Sequence, residues 1–199
     1  MSYHLYKTEA FVLDERPFGE ANKVFYLLTP DLGLVTASAQ GIRLLKSKLR
    51  YYLSRYAHLK ITLVRGKETW RLVGAEKAEG CENIYQDHGK LDLVARVFLL
   101  LKQFIQGEGR IPGLFEDLKL SLAYLDSLEL ENAKAEVSRG WELTLVLRIL
   151  HRLGYIKDDP KLRSFIVFRE WSKDMPKLAA ADQGFLVRAI NDAIAASHI

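Results

Sequence analysis

The chain has 199 residues, 49% of them hydrophobic and 27% charged, with a formal net charge of +4. That is enough apolar content for one large domain or two small ones, in the proportions of an ordinary globular protein. The longest uninterrupted apolar run, "VFLLL" at residues 97 to 101, falls far short of the ~20 residues of a membrane span. The opening "MSYHLYKTEAF" carries no secretory apolar segment, so a cytoplasmic chain is expected. Cys81 is the only cysteine, and His4, His58, His88, His151 and His198 lie at least 30 residues apart. An internal disulfide and a cysteine-built zinc site are therefore excluded, and neither a metal nor a cofactor is expected.

Residues 1–80 read as β structure. "YHLYKTEAFVL", "NKVFYLLT", "GLVTASA", "YAHLKITLV" and "TWRLVGAE" are short segments rich in aromatic and β-branched residues. "ERPFGEA", "TPDLG" and "RGKE" between them carry turn signals at Pro17, Gly19, Pro30, Gly33 and Gly66. Five such strands, none able to bury itself alone, predict a small closed or partly closed barrel, because closure removes exposed edges. The longest connection spans roughly residues 40 to 54.

After Gly80 the period becomes helical. "KLDLVARVFLLLKQFIQG" puts Leu91, Val94, Val97, Phe98, Leu101, Phe104 and Ile105 on one side, and "GEGRIPG" ends it. Further helices are predicted in "LFEDLKLSLAYLDSLEL", in the segment from Asn132 (as N-cap) to Gly154, and in the last residues behind Asp182 as N-cap. Pro160 and Pro176 bracket something short, and a reduced subdomain from about 157 is one reading of that region. The expected organisation is α+β by segregation: domain 1–80 a barrel, domain 81–199 helical.

Catalytic spacing is missing: there is no GxSxG, no GxxxxGK[ST] and no HExxH. "GEG" at 107 to 109 reads as a helix stop, and Asp158–Asp159 before Pro160 as a turn or cap. No enzyme is expected.

Charge is uneven. Residues 1–80 hold 13 basic and 8 acidic side chains, residues 81–199 hold 16 and 17. Between Asp31 and Glu68 stand eight Lys and Arg and no carboxylate. Surfaces ordinarily mix signs, because a single-sign field repels itself. Tyr51, Tyr52 and Tyr56 lie among these cations and offer flat faces for bases, or else pack in the barrel. Phosphate neutralisation plus stacking is the chemistry of sequence-blind single-strand binding. Solvated surface charge is the plain alternative.

The residues also carry a resemblance. "TEAFVLDERPFGEANKVFYLLTPDLGLVTASAQGIRLLKS" resembles the N-terminal domain of the RecO family of bacterial recombination mediators. The likeness rests on Ala10, Val12, Leu13, Arg16, Gly19, Glu20, Leu27, Leu28, Thr29, Gly33, Ala39, Gly41, Arg43, Lys46 and Ser47. "LVRGKETWRLVGAE" continues it, and "LRILHRLGY" is similar to the family's central helices. The resemblance implies an N-terminal OB-fold that binds single- and double-stranded DNA and anneals complementary strands. It also implies RecR and the C-terminal tail of single-stranded DNA-binding protein as partners, and RecA indirectly. The setting it implies is cytoplasmic and nucleoid-associated, with no membrane. Three departures stand out: Cys81 alone excludes the family's four-cysteine zinc module, Gln40 replaces a common lysine, and the chain is a short variant.

The expected DNA track is Arg43, Lys46, Lys48 and Arg50, extended by Tyr51, Tyr52, Arg55 and Lys60, with Lys23, Arg65, Lys67 and Arg71 as outside candidates. Arg148 and Arg152, spaced i and i+4, are candidates for a basic rim that takes the partner tail, or solvated arginines of an amphipathic helix. Trp141 and Trp171 are expected in the core. Two competing functions remain: an adaptor that touches DNA only in complex with RecR, and an OB-type RNA binder.

Overall fold

In the computed structural model the described residues are 4–67, 69–129, 135–167, 171–172 and 174–197. They form two units, Met1–Glu79 with Phe98–Arg110, and Gly80–Val97 with Ile111–Ile199. The first unit thus takes in a segment that follows the barrel in sequence, and the division falls inside a helix.

Five strands, β1 Leu5–Phe18, β2 Asn22–Thr29, β3 Gly33–Ala39, β4 His58–Arg65 and β5 Trp70–Lys77, close in the order β1-β2-β3-β5-β4. All pairs are antiparallel except β3 with β5. This is the five-stranded OB barrel, and the helices follow it, so the molecule is α+β. Alternation fills the interior: Ala10 and Val12, Phe25 and Leu27, Val35, Ala37 and Ala39, Leu59, Ile61 and Leu63, and Trp70 and Leu72 all point inward at period 2.

The first strand corrects the sequence reading. "ERPF", expected in a turn, is its continuation to Phe18, with a register shift between Val12 and Asp14. Pro17 is tolerated because β1 pairs with β4 only as far as Phe11 and with β2 alone beyond it, so the missing N–H faces an edge. The turn is at Gly19–Ala21.

β3 and β5 share just two register pairs, Ala37 with Trp70 and Ser38 with Arg71. Residues after the first helix finish this seam. Glu108 bridges Gly33, and Gly109 N–H donates to Leu32 O at 2.9 Å. A side chain on Gly33, whose φ is +66°, would run into the Gly109 carbonyl. Glu108 also accepts from Arg65 Nη1 at 2.7 Å and from Trp70 Nε1 at 3.0 Å.

The helices are α1 His88–Phe104, α2 Leu114–Ser127, α3 Ala135–Arg152, α4 Arg163–Ile166, α5 Met175–Ala181 and α6 Gln183–Ala196. Asn132 lies outside the described residues. Asp182 does precede α6, but its carboxylate makes no capping bond. Trp141 is fully buried, its Nε1 donating to Ser121 O, and Trp171 stacks on Tyr124 with ring centres 5.5 Å apart. Among the described residues no helix is long and apolar enough to cross a membrane.

Candidate nucleic-acid interface

The connection from β3 to β4 carries every proposed DNA-contacting residue except Lys60, and hydrogen bonds tie both of its ends to the barrel. Asn22 Oδ1 accepts from Gly41 N–H at 2.8 Å and Ala21 O accepts from Arg43 N–H at 3.0 Å. Two turns follow, Leu44 N–H to Gly41 O at 3.1 Å and Ser47 N–H to Leu44 O at 3.0 Å. One 3-10 turn, Lys48–Tyr51, comes next. At the far end Tyr56 N–H donates to Val12 O and Val12 N–H to Ala57 O, both at 2.9 Å. In between, Ile42, Leu53 and Ala57 are buried among the inward residues of the barrel, with Leu49 packed on them. Burying Ile42 and Leu53 is worth roughly 1.5–3 kcal/mol each and, with these hydrogen bonds, anchors the connection near both ends. A ligand therefore meets side chains whose backbone is already ordered.

Outward, Arg43, Lys46, Lys48, Arg50, Tyr51 and Tyr52 are all exposed, Tyr51 at 78%. Lys46, Lys48 and Arg50 have no ion-pair partner among the described residues. Arg43 Nη1 donates to Gly19 O at 3.3 Å, which orients the guanidinium without cancelling its charge. Tyr56 differs from its neighbours: it is half-buried, holds φ at 71°, and packs edge-on against Phe98 with centres 5.8 Å apart.

The gap in carboxylates is real along the chain but only partly so in space. Arg55 Nη2 lies 3.0 Å from Asp14 Oδ1, Arg65 is held by Glu108, and Lys60 stands in register between Glu9 and Glu76. Of the outside candidates, Lys23 is bound to Glu15 at 2.7 Å. Arg71 Nη2 donates to Gln40 Oε1 at 3.0 Å, so the glutamine fixes a neighbouring cation beside the start of the connection. Lys67 is exposed. Within the β3–β4 connection, the cations without an ion pair among the described residues are Arg43, Lys46, Lys48 and Arg50.

Asp14 is the node of the neutralised side. Burial works against its charge, but the Lys102 Nζ hydrogen bond at 2.6 Å, the Glu15 N–H at 2.8 Å and the charges of Lys102 and Arg55 outweigh that. Its pKa accordingly sits below the ordinary carboxylate value.

Sequence reasoning missed one feature of this connection. Leu44 and Leu45 are 45% and 84% exposed on the two turns that meet at Leu44. The signal was an adjacent leucine pair, which a strand's period of two cannot bury on a single face.

The rim expected in the helices is not where the arginines lie. Arg148 is 1% exposed, with Nε donating to Phe165 O at 2.7 Å and its guanidinium 4.9 Å over the Trp171 ring. Burial pulls its pKa down, with Asp117 opposing and Arg152 reinforcing. Arg152 Nε is committed to Asp117 at 2.7 Å. Both side chains serve the interior of their own unit. That unit has a separate groove of about 600 Å³ between α1 and α3, lined by Leu93, Leu143, Arg96 and Arg139 among others. Arg96 is tied to Glu142 through two hydrogen bonds, at 2.6 and 2.9 Å, whereas Arg139 is exposed and has no ion pair among the described residues.

Comparison with known proteins picks out the same region of the chain. The family model for the N-terminal region of recombination protein O matches residues 1–80. Over its barrel the chain is similar to the RecO family. Proteins named DNA repair protein RecO from Dehalococcoides mccartyi strains 195 and CBDB1 are 32% and 33% identical to it over 127 residues. The aligned part is 62% of this chain and 49% of each relative, so the chain spans about half the length of the curated relatives it matches. The RecO match contains all five strands and the whole β3–β4 connection.

Proposed function

We propose that this chain is a DNA-binding recombination mediator that binds and anneals strands in recombinational repair, without catalytic chemistry of its own. The observation that carries the proposal is the pinned β3–β4 connection, with Arg43, Lys46, Lys48 and Arg50 uncompensated beside exposed Tyr51 and Tyr52. Two polyanions approach each other only when their charge is screened. A rigid cationic surface that contacts phosphates does this for any sequence, and aromatic faces hold bases without reading them. The barrel match and the name of the relatives support the same reading.

The finer assignment places the protein in the cytoplasm at the nucleoid, working with RecR in RecA loading. It also binds the acidic, apolar tail of single-stranded DNA-binding protein. With Arg148 buried and Arg152 paired to Asp117, the chemistry that suits such a tail is the α1–α3 groove, with Leu93 and Leu143 as lining and Arg139 as the cation. The test is fluorescence anisotropy of labelled oligodeoxythymidine with the protein alone at several salt concentrations. Binding that weakens steeply with salt is expected. No binding at low salt, restored by adding RecR, would transfer the role to an adaptor acting only in that complex.

A further inference from the structure

We propose that Leu45, supported by Leu44, is a wedge that inserts between adjacent bases of bound duplex DNA and unstacks one step. This rests on the nucleic-acid reading of the same connection. Leu45 is the most exposed large apolar residue of the described chain, at 84%, and Leu44 beside it is 45% exposed. A single exposed leucine needs no explanation, but an adjacent pair flanked by cations invites one.

Three further observations bear on the occupant. The pair is held on two consecutive hydrogen-bonded turns, and buried Ile42 anchors the backbone just before it. A side chain on so short and fixed a turn can push into a stack without its support giving way. Arg43 and Lys46 directly flank the pair, so phosphates neutralised on either side would set the leucines at the base edges between them. The carboxylate-free sequence around them disfavours a basic partner and favours a polyanion. Aliphatic wedges of this kind pay for unstacking with added contact to the deformed duplex. For an annealing surface the consequence is useful, since local unstacking lets a mispaired register dissolve before full pairing.

The experiment uses the full chain and a duplex carrying 2-aminopurine, whose fluorescence is quenched by stacking. Saturating wild-type protein should raise the signal several-fold. Leu45→Ser should bind with the same salt slope and only modestly weaker affinity, yet lose most of that rise, and Leu45→Met should recover it. If wild type binds without any rise, or if Leu45→Ser retains all of it, the wedge is wrong while the DNA reading stands. Absence of binding to single strands and duplex alike overturns both. Vesicles containing phosphatidylglycerol provide a further arm: binding there that Leu45→Ser abolishes, with an unchanged 2-aminopurine signal, would reassign the leucines to a lipid surface.

Discussion

Arg55 is held by Asp14, Nη2 to Oδ1 at 3.0 Å, across a sequence separation that hid the pair from view. The same carboxylate holds Lys102 at 2.6 Å. Asp14 thus marks where the cationic face ends. Asp14→Asn removes this countercharge and frees Arg55 for phosphate. Single-strand affinity should rise, and the salt slope should steepen by ~0.7, the share of one added phosphate contact. Anisotropy titrations of the two proteins in parallel would show it. An unchanged slope would mean that Arg55 stays outside the track.

The same residue gives a pH dependence of stability. Its folded pKa is lowered, so the stabilisation is complete above the unfolded value of 3.8 and disappears as pH falls through the folded one. The urea midpoint of Asp14→Asn should therefore lie below that of wild type by a constant amount near neutral pH. Below about pH 4 the two should converge. A gap that widens in acid would contradict the geometry.

Lys46→Ala, Lys48→Ala and Arg50→Ala together should reduce the single-strand salt slope by about 2. Because these side chains are exposed and have no ion pair among the described residues, the melting temperature should barely change. Lys23→Ala is the control: its charge is already neutralised by Glu15, and the slope should stay where it was.

The tyrosines should separate by role. Tyr51→Ala should weaken single-strand binding by ~1–3 kcal/mol with stability intact, as expected for a stacking platform. Tyr56→Ala should instead lower stability, since that ring packs on Phe98. Denaturation curves and anisotropy on both variants would distinguish them, and a reversal of the two effects would exchange the assignments.

In the helical unit, Gly140→Ala would drive a methyl into the Pro176 carbonyl, where α3 and α5 touch. A loss of about 1–3 kcal/mol in urea unfolding is expected, the range for overpacking. A neutral result would show that α5 can shift away.

The contrast between what the sequence disclosed and what it concealed follows the range of the interactions. β2 and β3 are bounded as read, because strand propensity and turn residues act within a few positions. β1 was read short because Pro17 is a turn signal in one dimension and an edge residue in three. The cationic character of the β3–β4 connection was legible because an excess of charge is a compositional fact. Which of the cations between Asp31 and Glu68 are paired was not, since Asp14 comes from another strand and Glu108 from beyond the barrel. Arg148 misled for a similar reason: its spacing with Arg152 is that of a helix face, but only packing shows that Phe165, Trp171 and Met175 cover that face.

The seam between β3 and β5 bears on synthesis. As the chain leaves the ribosome, all five strands emerge before Phe98–Arg110 does. Until that segment follows, Trp70 Nε1 and Arg65 lack Glu108, Phe11 lacks Phe98, and Asp14 lacks Lys102. A nascent barrel therefore lacks these contacts, the Glu108 clasp on its shortest strand join among them, while the first helix is being made.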